Sequence, residues 1–144
     1  MIDKIKRFLS HPLLSDRRVL LGIWTILSLV GMLKFHRSYN NFLIFRGVYW
    51  HTVNGTSLYA PYPTEYWDMN HYGPLFSLVI APFAILPEWV GMLLWLIFLS
   101  GWLFAAVYWS GLKKQQQIFI YWFCSLALLT ALFMQQFNIA VAAM

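Results

Sequence analysis

Glu65 and Asp68 are two of only five acidic residues in this 144-residue chain, and they share a polar, aromatic-rich stretch with Lys34, Arg37, Arg46, His51 and His71. A carboxylate in such a place can take the proton of an attacking hydroxyl, and guanidinium or ammonium groups hold an anion by charge-assisted hydrogen bonds. Trp67 and Tyr72 add flat faces of the kind that pack against a sugar ring. The combination is what an enzyme acting on a lipid-linked phosphate requires.

Each of these residues also has a plainer use. Lys34, Arg37 and Arg46 can anchor helix ends to lipid phosphates, and Glu65 and Asp68 can be solvated loop carboxylates. The rings can form an aromatic belt at a membrane interface. His51 and His71 have no Cys, Asp or Glu at a recognised metal spacing, so no metal site is expected. Cys124 is the lone cysteine and lies in an apolar run, which excludes a disulfide framework within the chain. Asn54-Gly55-Thr56 matches the N-glycosylation acceptor pattern, a triplet frequent by chance. A Gly-rich phosphate loop, a nucleophile elbow and a zinc signature are all missing from the sequence.

The elements that position these residues are set by the solvent around them. The chain is 60% hydrophobic and 10% charged, with a mean hydropathy of +0.61, against about 45–50% apolar and about 25% charged residues in soluble domains. A soluble fold of about 150 residues leaves roughly a third of its surface in water, so this composition points to lipid. The net charge of +5 comes from basic clusters beside apolar runs and not from one helical face. That pattern reads as membrane topology and argues against nucleic acid as a partner.

An all-α, polytopic fold follows. A basic, cytoplasmic amino terminus over 1–18 precedes a first crossing over 19–35; its apolar run exceeds a signal-peptide core and lacks a small-residue cleavage site. Residues 36–71 form an extracytoplasmic loop. Its first half has Phe42, Phe45, Tyr49 and Val53 at helical spacing, which predicts an amphipathic helix on the bilayer surface, ended by Asn54-Gly55. The second half, rich in proline and aromatic rings, is expected to be irregular and to sit at headgroup depth. Further crossings are expected over 72–88, 89–109 and 118–134, with a polar turn over 111–117. Residues 135–144 open another apolar run, which predicts more spans beyond them and an inactive fragment if these 144 residues stand alone.

The segment over 72–88 has two possible forms. Its apolar centre, 75–86, carries Pro82 and is shorter than the about 17 residues a span needs. Either it crosses fully by recruiting Tyr72 to Trp89, or it dips in and returns. Four full crossings put Lys113 and Lys114 outside, against the positive-inside rule, whereas a re-entrant segment keeps them in the cytoplasm. The full crossing is preferred on sequence, because proline is tolerated in packed membrane helices.

Four stretches, in order and spacing, resemble the amino-terminal part of the polytopic glycosyltransferases of family 87, in the GT-C superfamily. They are NNFLIFRGVYWHTVNGTSLY (40–59), YGPLFSLVIAPFAILP (72–87), VGMLLWLIF (90–98) and QQFN (135–138). Two departures stand out. Asn41 occupies the position of the family's first-loop aspartate, its proposed base, and cannot take a proton. Gln135 replaces the leading Gly of a Gly-Gln-x-Asn element, so only Gln136 and Asn138 carry over.

The resemblance implies transfer of a sugar, a hexose such as mannose, from a polyprenyl-phosphate donor to a glycolipid or glycan acceptor. The reaction would invert the anomeric carbon, need no cofactor, and take place at the outer face of a cell membrane, here a bacterial inner membrane. Asp68 is the expected base, with Glu65 the other candidate. Arg37, Arg46, His51, Trp67, His71, Tyr72, Gln136 and Asn138 are the expected substrate contacts. The alternative, prompted by Asn41, is a non-catalytic multi-pass protein that handles lipid carriers or scaffolds partners. An unrelated small transporter fits least, because the spans contain almost no charged residues.

Overall fold

A computed structural model describes residues 11–144; the expectations for residues 1–10 lie outside that range. Among the described residues the chain is helical throughout, without strands. The elements are α1 (Arg17–Gly31) with a 3-10 turn (Met32–Lys34), α2 (Asn40–Val53), α3 (Phe76–Ala84), α4 (Glu88–Trp109), α5 (Lys114–Phe133) and α6 (Asn138–Ala142).

Local chemistry sets most of these ends. Asp16 caps α1, its carboxylate accepting the Arg18 N–H at 2.7 Å and its carbonyl the Leu20 N–H. Gln116 reaches back to the Lys113 N–H at 3.0 Å and starts α5. Pro87 precedes α4 and Glu88 occupies its first turn, where a carboxylate suits the helix dipole. Helix α2 ends as expected at Asn54-Gly55: Gly55 has φ 65, and the Thr56 and Gly55 N–H groups close back onto His51 and Thr52.

Helices α4 and α5 are long and apolar enough to cross a membrane, with hydropathies of 2.2 and 1.6 over their best windows. The other two expected crossings are shorter. Helix α1 has 15 residues, and in place of a helix over 72–88 the structure has α3, with nine. Pro74 and Pro87 bracket α3, and the residue before a proline is pushed out of the helical region. Nine residues rise only about 13 Å, less than half of the about 30 Å hydrocarbon core.

The chain forms two compact units, one of residues 11–31 and 96–144 and one of residues 32–95, and α4 contributes to both. In the first, α1 packs on α5 around Trp24, which is 1% exposed. Its indole N–H donates to Ser125 Oγ at 3.1 Å, and Phe104 and Tyr121 meet it edge-on while stacking on each other at 4.2 Å. Ser28 and Ser100 pair at 2.8 Å, which settles two hydroxyls inside this apolar core.

In the second unit, α2 packs on α3. The expected apolar face is corrected in part: Phe42 and Phe45 are buried, but Val48, Ile44 and His51 join them, while Tyr49 is half-buried and Val53 is exposed. Phe45 is ringed by Tyr72, Phe76 and Trp95 at 5.1, 5.2 and 5.8 Å. The ladder of rings ties the start of α3 to the middle of α2.

Gly91 and Gly101 lie on the same helix in opposite situations. A Cβ on Gly91 would clash with the Phe83 carbonyl oxygen, whereas one on Gly101 would meet nothing within 4 Å. Gly91→Ala is expected to destabilise the protein by roughly 1–3 kcal/mol, because the obstacle is backbone, and Gly101→Ala to stabilise it by about 0.5–1 kcal/mol through helix propensity. Thermal unfolding of the two variants in detergent, with Tm moving down for the first and up for the second, is the check.

Candidate functional site

His51 sits at the end of α2, 6% exposed, and the loop folds back over it. The loop turns at Tyr62, whose carbonyl accepts the Glu65 and Tyr66 N–H groups at 2.9 and 3.0 Å. The turn places Glu65 Oε2 at 3.2 Å from His51 Nε2, close but out of hydrogen-bond alignment. Tyr62 stacks on the imidazole at 3.7 Å, and Thr56 Oγ1 lies 2.9 Å from its Nδ1. Tyr66 anchors the turn by lying on Gly47, where a Cβ would come within 2.6 Å of the ring. Glycine there is what lets the loop dock.

Two open grooves flank this turn. The smaller, about 270 Å³, has His36, Arg37, Tyr39, Asn40, Glu65 and Trp67 in its walls. The larger, about 400 Å³, has Tyr39, Arg46, Trp50, Glu65 and Glu88. Glu65 therefore lines both, together with Arg37 in the smaller and Arg46 in the larger.

Arg46 is heavily engaged. Its Nη1 pairs with Glu88 Oε1 at 2.8 Å, and its Nε and Nη2 donate to the Ala84 carbonyl at 3.3 and 3.2 Å. Nη2 also reaches the Leu86 carbonyl at 3.4 Å. Tyr39 completes the network by donating to Glu88 Oε2 at 3.2 Å. A guanidinium has five donors, so little of Arg46 is left to hold an anion.

The other candidates separate into those near Glu65 and those elsewhere. Arg37 and Trp67 line the smaller groove, and the Trp67 N–H donates to Asn40 Oδ1 at 3.0 Å. Asp68 is exposed, lines neither groove, and accepts the N–H of its neighbour Met69. His71 is exposed, and Tyr72 packs on Phe45 and Phe76. Asn41 falls in the first turn of α2. Gln136 and Asn138 belong to the other unit, at the end of α5 and the start of α6. Gln135, between them and the helix, has φ 48 and ends α5 in the same αL turn that Gly55 makes for α2. Glycine is the usual residue in that conformation, which accounts physically for the Gly of the resembled element.

Sequence reading missed Glu88, Tyr39, Thr56 and Asn70. Glu88 was assigned to the opposite end of a full crossing, and α3 does not have the length for one. Thr56 was visible only as part of the glycosylation triplet. Asn70, 3% exposed, holds the loop by donating to the Leu58 and Tyr72 carbonyls and accepting the Tyr72 N–H; no spacing in the sequence announces such a bridge.

Comparison with known proteins agrees with the resemblance. The model of glycosyltransferase family 87 matches residues 70–144, from the end of the loop through α6. No curated protein and no solved structure matches the chain.

The loop phenols record the local electrostatics. Burial, then the Glu88 carboxylate beside it, pushes Tyr39 above its ordinary 10.0, with Arg46 opposing. Burial, then Glu65, does the same for Tyr66. Since the unfolded chain releases these protons first, the stability they contribute is complete below pH 10.0 and is lost as the pH rises through their folded-state values. In a spectrophotometric tyrosine titration of the folded protein, Tyr39→Phe and Tyr66→Phe should each remove a component that ionises above pH 10.0.

Proposed function

Because the chain belongs to glycosyltransferase family 87, we propose that it transfers a sugar from a polyprenyl-phosphate donor to a glycolipid or glycan acceptor at the outer face of a cell membrane, with Glu65 as the base. The donor sugar is a hexose such as mannose, and the membrane a bacterial inner membrane. The observation that carries the assignment is that Glu65, unlike Asp68, lines both grooves and is backed by a buried imidazole.

In this mechanism Glu65 takes the acceptor hydroxyl proton as the oxygen attacks the anomeric carbon from the face opposite the phosphate. The C–O bond to the phosphate breaks with inversion, and the electron pair leaves on the lipid phosphate. Arg37 and His36, in the wall of the smaller groove, supply positive charge or hydrogen bonds to that leaving group. Trp67, 81% exposed, offers a face to the sugar or to lipid headgroups. Asn41 favours a second reading, a non-catalytic lipid-carrier protein, because it removes the base from the family's own position.

The same reading revises the membrane topology. Arg46 of α2 grips the carbonyls at the end of α3 and Glu88 beyond it, while Phe45 of α2 holds Tyr72 and Phe76 at its start. Both ends of α3 are thereby kept along α2. An α2 on the outer face keeps α3 there too, and the crossings become α1 with its 3-10 extension, α4 and α5. Lys113 and Lys114 then face the cytoplasm, as the positive-inside rule requires.

Two measurements test these points. In the full-length protein, Glu65→Gln should lower transfer by at least about 100-fold, the scale of a lost general base, while Asp68→Asn keeps most of it; the reverse pattern would return the role to Asp68, and donor binding without transfer in the unaltered protein would favour the second reading. In a Cys124→Ala background, an impermeant maleimide should reach Asp68→Cys from outside intact cells and Lys113→Cys only after permeabilisation. Labelling of both from one side would refute the topology.

A further inference from the structure

His51 was expected to touch substrate, yet its ring is buried and stacked on Tyr62, and it is Glu65 beside it that lines the two grooves. Its two ring nitrogens each face one partner. Thr56 Oγ1 lies 2.9 Å from Nδ1 and 3.4 Å from the His51 carbonyl, and either Thr56 or Nδ1 can be the donor between them. A ring protonated on Nδ1 alone would present a bare Nε2 lone pair to Glu65 Oε2 at 3.2 Å. Two lone pairs at that distance repel, so a proton on Nε2 is the arrangement in which imidazole and carboxylate attract, by charge and dipole and not by an aligned hydrogen bond.

We infer that Thr56, His51 and Glu65 form one positioning unit in which the buried imidazole, fixed by Thr56 and Tyr62, holds Glu65 Oε2 against its Nε2 edge, so that Glu65 Oε1 alone is presented to the acceptor hydroxyl. This deepens the proposed function and rests on Glu65 being its base. His51 is then a positioning residue: it fixes the carboxylate and contacts no substrate. During transfer the acceptor proton passes to Oε1, the new bond forms from the acceptor oxygen to the anomeric carbon, and the bond to the phosphate breaks with its electron pair on the leaving group. The Nε2 proton stays on the imidazole throughout. The other ionisable groups around the unit are Tyr62 and Tyr66, which meet the His51 ring, His36 and Arg37, which line the smaller groove with Glu65, Arg46 and Glu88, which line the larger one, and Tyr39, which lines both.

The experiment has a kinetic arm and a spectroscopic arm, both on the full-length protein in detergent. His51→Gln should lower kcat by roughly 10- to 100-fold and leave the donor KM within about twofold, the mark of lost base positioning. Thr56→Val, which keeps the imidazole in place, should lower kcat by a smaller factor in the same way. A rise in donor KM at unchanged kcat in His51→Gln would make His51 a substrate ligand and overturn the inference while sparing Glu65 as base. In 15N spectra, His51 Nε2 should carry the ring proton in the unaltered protein and lose it in Glu65→Gln; an identical Nδ1–H ring in both would also overturn the inference. If Glu65→Gln retained full transfer, the base assignment would fail on its own, and the spectra would still decide whether Glu65 holds the ring proton on His51 Nε2.

Discussion

The end of a helix leaves its last carbonyls without partners, and in an apolar setting each of them must find a donor. At the end of α3 this constraint is acute, because Pro87 stops the helix and offers no N–H of its own. Arg46 meets it. One guanidinium, carried on the middle of α2, accepts the burden of the Ala84 and Leu86 carbonyls and pairs with Glu88 at the first turn of α4. Removal of that side chain would leave two carbonyls without their donor and the Glu88 carboxylate with Tyr39 alone, so the junction of α2, α3 and α4 in the second unit depends on it. A lysine would not substitute, since one ammonium cannot span three acceptors in a planar fork.

The loop obeys a related rule. It has no regular structure to pair its backbone, so side chains do the pairing: Asn70 ties Leu58 to Tyr72, Tyr62 donates to the Ser57 carbonyl at 2.7 Å, and Asn40 receives the Trp67 N–H. With Tyr66 pressed on Gly47, these bonds give a proline-rich stretch a defined path and bring Glu65 to His51. Rigid placement of a carboxylate by groups that do not react is what a base needs, since misplacement by about 1 Å costs catalysis heavily.

What was legible in the sequence were the features that depend on neighbours along the chain. The apolar runs that become α4 and α5, the stop at Asn54-Gly55 and the irregularity of 57–75 all follow from local composition and spacing. The family resemblance was also legible, because it rests on ordered motifs. Contacts made across the fold were not. Periodicity put Val53 on the buried face of α2, but α3 and the loop cover Val48 and His51 instead. Arg46 looked like a free cation because nothing in its vicinity along the chain announces the Ala84 and Leu86 carbonyls some forty residues on. The length of α3 was misjudged for a physical reason: an apolar stretch with an internal proline can be a long kinked span or a short helix, and only its neighbours decide which.

Asn41 can now be weighed against Glu65. A carboxylate in the first turn of α2 would lie in the field of the helix N-terminus, which stabilises the anion and weakens it as a base. Asn41 leaves that turn uncharged. The smaller groove, however, still has a carboxylate: its walls bring together Tyr39 and Asn40 at the start of α2 and Glu65 on the loop. In the proposed reading the negative charge has moved from one wall of the groove to the other, away from the helix terminus and onto a loop held by Tyr66. A base in that position gives up the support of the helix dipole and takes its orientation from His51 instead, which makes the buried imidazole the natural companion of the missing aspartate.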